Sequence, residues 1–169
     1  NDNSERMRID SSGNVGIGGT PSSWSTVTNV LQMKSQTSLA EHAGVGYLSQ
    51  NWYYNSGEKY IGNGYATRLT SSSVNGSFSI STAGNNTSGA GAALTWSEKL
   101  RVDNSGRVGI AQDTPGDFNA AADDLVIGNS GGDFGITIRT GTASNGSIHF
   151  ADGTSGDTPN RGIITYDHS

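Results

Sequence analysis

The amino-acid sequence predicts an all-β chain that builds an elongated, fibrous homotrimer of short strands and hairpins around a core shared between chains. Three observations support this fold class. One phrase of fourteen residues occurs twice, apolar and polar residues alternate in short runs, and helical periodicity is nearly absent. In addition, only 32% of the residues are hydrophobic, and Gly accounts for 25 of 169. A chain this polar buries little apolar area by itself, so we expect neighbouring chains to complete its core.

The first element is a repeated hairpin cassette over residues 1–34. Its phrase SERMRIDSSGNVGI places apolar residues at one parity and charged residues at the other, which predicts a hairpin with one apolar face. The turn between the two arms contains Gly13, which adopts a positive φ without steric cost. A loop led by Pro21 and filled by Trp24 should follow, and a strand should end the unit.

Residues 35–96 are expected to form a variable β module with an aromatic-rich hairpin that turns at residues 55–57. After that hairpin, the pattern predicts a strand, a Gly-rich loop and a further strand that ends at Trp96. A helical turn fits the pattern at only two places in the chain, Ser38–Ala43 and Asp117–Asp124.

A second hairpin cassette covers residues 97–128. Its phrase SEKLRVDNSGRVGI matches the first at nine of fourteen positions, and Pro115 and Phe118 repeat the loop. Residues 129–169 should form a short β module of three strands that runs into a further repeat, because we interpret the chain as a fragment of a longer protein.

The apolar residues of the two hairpins are our candidates for the shared core. Four medium-sized side chains on one face cannot enclose a core alone, whereas three such faces around a threefold axis can. The candidates are Met7, Ile9, Val15, Ile17, Leu100, Val102, Val108 and Ile110.

Charge and composition predict a chain with no nucleic-acid partner and no membrane insertion. The net charge is −5, and the ten Lys and Arg residues form no basic stripe that could neutralise phosphates. No apolar run approaches the roughly 18 residues that a membrane-spanning helix needs. The chain contains no Cys, so no disulfide framework is expected.

The residue patterns predict no enzyme, and therefore no catalytic residue, cofactor or resident metal. The turns that begin at Asp10 and Asp103 lack the bidentate Glu of a calcium-binding loop. His149 lies in a predicted strand, where a threefold axis could bring three copies to one ion, but no pair of His residues has the spacing of metal ligands. The four Glu residues are isolated, and no carboxylate pair suited to glycan hydrolysis stands out.

An aromatic cluster in the variable module allows two interpretations. Its rings could fill the core, or they could stack on a receptor glycan. On a strand, Trp52 and Tyr54 would point to one face and Tyr53 to the other, so we expect at least one of them to be exposed. The candidates for glycan contact are Trp52, Tyr53, Tyr54 and Tyr60.

The phrase ERMRIDSSGNVGIG, the block NWYYNSGEKYIGNGYATRL and the closing SIHFADGTSGDTPNRGIITYDHS resemble segments of tailed-bacteriophage tail fibres and tailspike-like proteins. The resemblance covers most of the chain. It implies a homotrimeric β shaft or tip that is carried on the virion, outside cells, and that attaches to a polysaccharide or protein of the bacterial surface. The self-cleaving C-terminal chaperone of this family is not recognisable in this stretch.

We therefore expect a structural segment of a homotrimeric phage tail fibre, whose first partner is itself. Two alternatives stay open at this point. The same cassettes would suit a bacterial or extracellular fibrous adhesin, and a tailspike with glycan-degrading activity would share the resemblance.

Overall fold

The structure is a computed structural model that describes residues 5–27, 29–34, 36–155 and 162–166. Within these residues the chain is all-β, which confirms the predicted class, and the only helical segment among them is a 3-10 turn at Pro115–Asp117. The chain divides into two compact units, Asn1–Gly132 and Asp133–Ser169. The predicted division into four segments stays a prediction.

Fourteen strands occur in the described residues, twelve in the first unit and two in the second. In chain order they are β1 (Met7–Ile9), β2 (Val15–Ile17), β3 (Asn29–Met33), β4 (Thr37–His42), β5 (Val45–Gln50), β6 (Trp52–Tyr54), β7 (Glu58–Tyr60), β8 (Gly64–Ser72), β9 (Ser77–Asn86), β10 (Ser97–Val102), β11 (Val108–Ile110), β12 (Leu125–Ile127), β13 (Gly146–Phe150) and β14 (Gly162–Tyr166).

Ten strands of the first unit form one sheet in the order β1-β2-β3-β4-β5-β8-β9-β10-β11-β12. Neighbours run antiparallel except at β2–β3 and β11–β12, which are parallel. In each parallel pair the connection contains one of the two Pro-led loops. A connection between parallel strands must run back from the end of the first strand to the start of the second, and these loops cover that distance. Strands β6 and β7 form a separate hairpin.

Both cassettes fold into the same three-stranded unit, which confirms the predicted hairpins and the strand after each of them. In the first hairpin Ile9 stands opposite Val15, and in the second Val102 stands opposite Val108. The third strand then pairs in parallel with the second arm of each hairpin. Sequence identity in the repeated phrase therefore corresponds to identical strand pairing.

The two loops of the cassettes are filled differently, and the prediction of an aromatic side chain in both was wrong. Trp24 is buried in the first loop, where its Nε1–H donates to Oε1 of Gln32 at 3.0 Å. Phe118 is 51% exposed in the second loop. There the guanidinium of Arg107 lies against Gly116.

Two further expectations about single segments were wrong. Residues 38–43 fall mainly in β4 rather than in a helical turn, because Ser38 and Ala40 face one side of the sheet and Leu39 the other. No strand ends at Trp96; residues 92–96 instead form a single bridge between Ala93 and Lys59 and contribute the buried Leu94 to the core.

The described residues of the second unit contain two paired strands where three strands were expected. Strands β13 and β14 are antiparallel, with Ile148 opposite Ile164. Residues 134–140 form no strand in the structure, since no described strand pairs with them.

Candidate assembly surface

One face of the ten-stranded sheet carries an unbroken row of apolar side chains. Residues that stand directly opposite each other in neighbouring strands point to the same face. The register joins one Leu, Ile or Val of each strand to one in the next strand. We call these ten residues the apolar row: Ile9, Val15, Leu31, Leu39, Leu48, Leu69, Ile80, Leu100, Ile110 and Ile127.

Further apolar side chains widen the row at both ends of the sheet. They stand two residues away along the same strands and therefore point to the same side. They are Met7, Ile17 and Met33 at the β1 end and Phe78, Val102, Val108 and Leu125 at the β12 end. We call the row and these seven residues together the apolar face.

Polar side chains border the middle of the apolar row. On one side, Thr37, Gln50, Thr67 and Thr82 stand opposite one another in successive strands. An apolar centre with a polar border is the usual composition of a protein–protein interface.

The chain itself leaves the apolar face open to solvent. Ile9 is 65% exposed, Leu39 53% and Leu48 47%. Nine strand spacings of about 4.8 Å make the row about 43 Å long, and a width of two residue positions gives an area on the order of 600 Å². Contiguous apolar patches on monomers reach about 300–600 Å², and a standard interface buries about 800 Å² per partner. The apolar face is thus at the upper end of the range for monomers and approaches the area that a standard interface buries per partner.

The opposite face of the sheet shows the reverse chemistry. It carries small and polar side chains, and these are the buried ones: Ser38, Ser49, Ala66 and Ala83 are at most 6% exposed. The hydroxyls of Ser38 and Ser49 satisfy each other through a hydrogen bond of 2.8 Å. Serines are therefore buried while leucines of the same strands face solvent, which is the opposite of the usual rule for a monomer.

An aromatic cluster covers this small-residue face. Trp52 meets Trp24 edge to face, with ring centroids 5.2 Å apart, and also contacts Tyr47 and Trp96. The guanidinium of Arg68 stands over the rings of Tyr47, Trp52 and Trp96 at 4.5–5.6 Å and forms an ion pair with Glu58. Burial raises the pKa of Tyr47. The small side chains of the sheet leave the space that these large rings fill.

The four candidates for glycan contact belong to this cluster or lie against it. Trp52 is 1% exposed and Tyr60 is 6% exposed, so both are core residues. The hydroxyl of Tyr60 donates to the carbonyl of Gly84 at 2.6 Å. Tyr53 and Tyr54 are half-buried, and the expectation that one of residues 52–54 would be exposed was wrong, because both Tyr side chains pack against the core beside Trp52. Glycan contact stays a prediction for Tyr53 and Tyr54.

The eight candidates for the shared core occupy the two ends of the apolar face. Their register places all of them on its surface, where Met7, Ile9, Ile17 and Ile110 are at least 40% exposed. Burial of these residues by neighbouring chains stays a prediction. Sequence reasoning missed the middle of the face, formed by Leu31, Leu39, Leu48, Leu69 and Ile80. The sequence offered a local signal at only two of these positions, since Leu39 lies between Ser38 and Ala40 and Ile80 lies between Ser79 and Ser81.

The carboxylates of Asp10 and Asp103 are engaged within their own hairpin turns. Oδ1 of Asp10 accepts the N–H groups of Ser12 and Asn14, both at 2.9 Å. Oδ1 of Asp103 likewise accepts the N–H of Arg107 at 3.0 Å, while its Oδ2 accepts Nε–H of Arg107 at 2.7 Å. Each Asp therefore closes a turn. No group of three His, Cys, Asp or Glu side chains in the described part of the chain is arranged to hold a metal ion.

No protein-family model matches the chain, and no curated protein or solved structure matches it either. Among the described residues, no helix is long and apolar enough to cross a membrane.

Proposed function

We propose that this chain is a structural segment of a homotrimeric fibre and that copies of the chain bury the apolar face against one another. The observation that carries the proposal is the inverted burial of the sheet. Its serine and alanine face is covered by the chain's own aromatic cluster, while its leucine and isoleucine face is left to solvent. Burial of half-exposed Leu and Ile side chains stabilises an assembly by on the order of 1 kcal/mol each.

Support for three copies comes from the resemblance to homotrimeric tail fibres. A sheet with one apolar face needs a second layer on that face. Three copies related by a threefold axis would supply it symmetrically, each with the same face turned inward. The row crosses every strand of the sheet, so a shared core would continue along its whole width.

The biological role that we propose is that of the tail fibre of a bacteriophage, outside the cell, in attachment to the bacterial surface. The same resemblance supports this role, and the repeated cassettes support a rod built from similar modules. Symmetric assembly also makes weak contacts with a surface receptor multivalent, which raises avidity without new chemistry.

Light scattering on the purified chain tests the assembly. The expected mass is three times 17.5 kDa. Leu48→Asp places a charge at the centre of the apolar row, where Leu48 is 47% exposed, and should reduce the mass to that of one chain. The matched control is Val74→Asp, since Val74 is 73% exposed in the turn between β8 and β9 and should leave the trimer intact.

A wild-type chain that stays monomeric, folded and soluble at high concentration would refute the shared core. Circular dichroism on both Asp variants checks that the β structure is retained. Antibody labelling of virions against labelling of bacterial surfaces separates a phage fibre from an adhesin, and release of reducing ends from a capsular polysaccharide would instead indicate a glycan-degrading tailspike.

A further inference from the structure

The strand β1, at one end of the sheet, has an open edge. It bonds to β2 through the carbonyl of Arg6 and the N–H of Asp10. Backbone groups alternate in direction along an antiparallel strand, so the N–H and C=O of Met7 and Ile9 point away from β2. No strand in the described part of the chain pairs with this side of β1.

The strand β12, at the other end, presents a matching edge. It bonds to β11 through the carbonyl of Asp124 and the N–H of Gly128. By the same alternation, the N–H and C=O of Leu125 and Ile127 point outward. The described residues contain no strand paired on this side either.

The second cassette shows what the edge that corresponds to that of β1 binds when it is paired. In the second cassette β10 takes the place of β1, and its outer edge pairs with the antiparallel strand β9. There Leu100 stands opposite Ile80 and Val102 stands opposite Phe78. Since Leu100 and Val102 correspond to Met7 and Ile9, the edge of β1 should likewise bind an antiparallel strand with apolar residues at alternate positions.

The first cassette gives the equivalent information for β12. There β3 takes its place, and the outer edge of β3 pairs with the antiparallel strand β4, with Leu31 opposite Leu39. The outward-facing residues of β12 are again apolar, as they are in β3. Each open edge therefore corresponds to an edge that binds an antiparallel strand elsewhere in the same sheet: β1 corresponds to β10, and β12 corresponds to β3.

We propose that β12 of one copy of this chain pairs antiparallel with β1 of the next copy, so that copies join head to tail. The directions are compatible: seven antiparallel and two parallel pairings separate the two strands, so β12 runs opposite to β1. If β12 pairs with β1 in the same register as β9 pairs with β10, Leu125 lies opposite Ile9 and Ile127 lies opposite Met7. The apolar face then continues from one copy into the next.

One such edge involves only three residues of each strand and would be weak alone. This inference rests on the proposed trimer for its strength, because three copies would join three edges at once and gain from multivalency. The contact is heterologous and does not close on itself, so it lengthens the assembly in one direction. It is the β-strand addition by which extended segments bind exposed sheet edges.

Cysteine cross-linking tests the register. The pair of Arg101 in β10 and Ser79 in β9 shows the geometry expected at the junction. At the junction Arg8 of β1 takes the place of Arg101, and Val126 of β12 takes the place of Ser79. Such a pair lies between the hydrogen-bonded positions, with Cα atoms about 4.5 Å apart, which a disulfide can span. The chain has no Cys of its own, so the double variant Arg8→Cys, Val126→Cys introduces the only two thiols.

After mild oxidation of the double variant, denaturing non-reducing gels should show a ladder at multiples of 17.5 kDa. The control Arg8→Cys, Ile127→Cys moves one thiol by one residue and turns it to the other face, and it should give at least tenfold less cross-linked product. A mixture of the two single variants Arg8→Cys and Val126→Cys should give a dimer band that neither variant gives alone.

The outcomes separate this inference from the proposed function. A double variant that has the mass of a trimer by light scattering but runs as a single chain on the gel refutes the head-to-tail junction and leaves the trimer standing. A cross-linked ladder from a chain that is otherwise monomeric supports the junction and refutes the trimer. Equal cross-linking in the control variant refutes the register.

Discussion

At the scale of single residues, the repeated Asp of the two hairpin phrases is the residue that closes the turn. Hydrogen bonds from Asn14 lower the pKa of Asp10. Partial desolvation pushes the pKa of Asp103 upward, but the hydrogen bonds from Arg107 and Ser105 outweigh it, and the pKa is lowered overall. Each folded turn thus favours the ionised carboxylate over the protonated acid.

These shifts predict a loss of stability in acid. A carboxylate whose folded pKa lies below its unfolded value of 3.8 stabilises the fold above that pH, and this stabilisation disappears as the pH falls through the lowered folded value. The double variant Asp10→Asn, Asp103→Asn should therefore unfold at less urea than the wild type at neutral pH. The difference should shrink below pH 3.8. Urea titrations at fixed chain concentration measure it.

Asp113→Asn is the control for this prediction, because Asp113 is exposed and belongs to neither turn. It should keep the wild-type dependence on pH. An unchanged difference between the wild type and the double variant across the acid range would show that the two carboxylates do not contribute as ions.

At the scale of elements, a glycine in the second arm of each hairpin allows the following loop to fold back over the strand. A Cβ on Gly16 would overlap the carbonyl oxygen of Gly19 and lie 2.7 Å from Cδ of Pro21. A Cβ on Gly109 would likewise overlap the carbonyl oxygen of Gln112. The repeated VGI phrase therefore has a steric meaning: no larger residue fits beneath the loop.

Gly16→Ala and Gly109→Ala should each lower the free energy of unfolding by about 1–3 kcal/mol, because backbone atoms of the loop must move to admit the methyl group. Gly84→Ala is the matched control. Gly84 also lies in a strand, but a Cβ there meets nothing within 4 Å, so this substitution should be neutral or slightly stabilising. Denaturant unfolding checks all three, and equal effects at Gly16 and Gly84 would contradict the steric explanation.

Much of the strand pattern could be predicted because the cassette hairpins combine alternation with strong turn residues. The same reasoning was wrong at residues 38–43, since six residues with one Leu do not distinguish a helical turn from a strand whose buried face carries Ser38 and Ala40. It was also wrong about Phe118, because a matching residue type does not reveal how the loop packs: Phe118 is exposed, and the side chain of Arg107 lies against Gly116 in the same loop. Local pattern fixes pairing within a hairpin, whereas packing between elements depends on the whole sheet.

The candidate surface could be predicted only at its two ends. Alternation is visible where a strand has two apolar residues of one parity, as at Met7 and Ile9. In the middle strands a lone Leu39, Leu48 or Leu69 carries no periodic signal, and only the register across strands aligns them. The exposure of leucine and the burial of serine in the same strands could not be predicted from the sequence, because the usual rule is that the apolar side of a strand is buried.

At the scale of the whole molecule, the chain covers one face of the ten-stranded sheet with its own core, whereas the other face is available for contact with further copies. The described core of the first unit consists of the aromatic cluster with Val27, Val30 and Leu94 over small side chains, and the apolar face adds nothing to it. If copies of the chain cover that face, unfolding must also separate them. Stability then depends on chain concentration by mass action.

The melting temperature of the wild-type chain should consequently rise with concentration over a hundredfold range, because one folded trimer becomes three unfolded chains and dilution favours the side with more particles. Leu48→Asp should melt at a lower temperature that does not depend on concentration, since a single chain unfolds alone. Val74→Asp, outside the apolar face, should behave as the wild type does. Calorimetry at several concentrations measures all three, with reversibility checked by a second scan. A wild-type melting temperature that is reversible and independent of concentration would mean that folding of the sheet is complete without a partner on its leucine face.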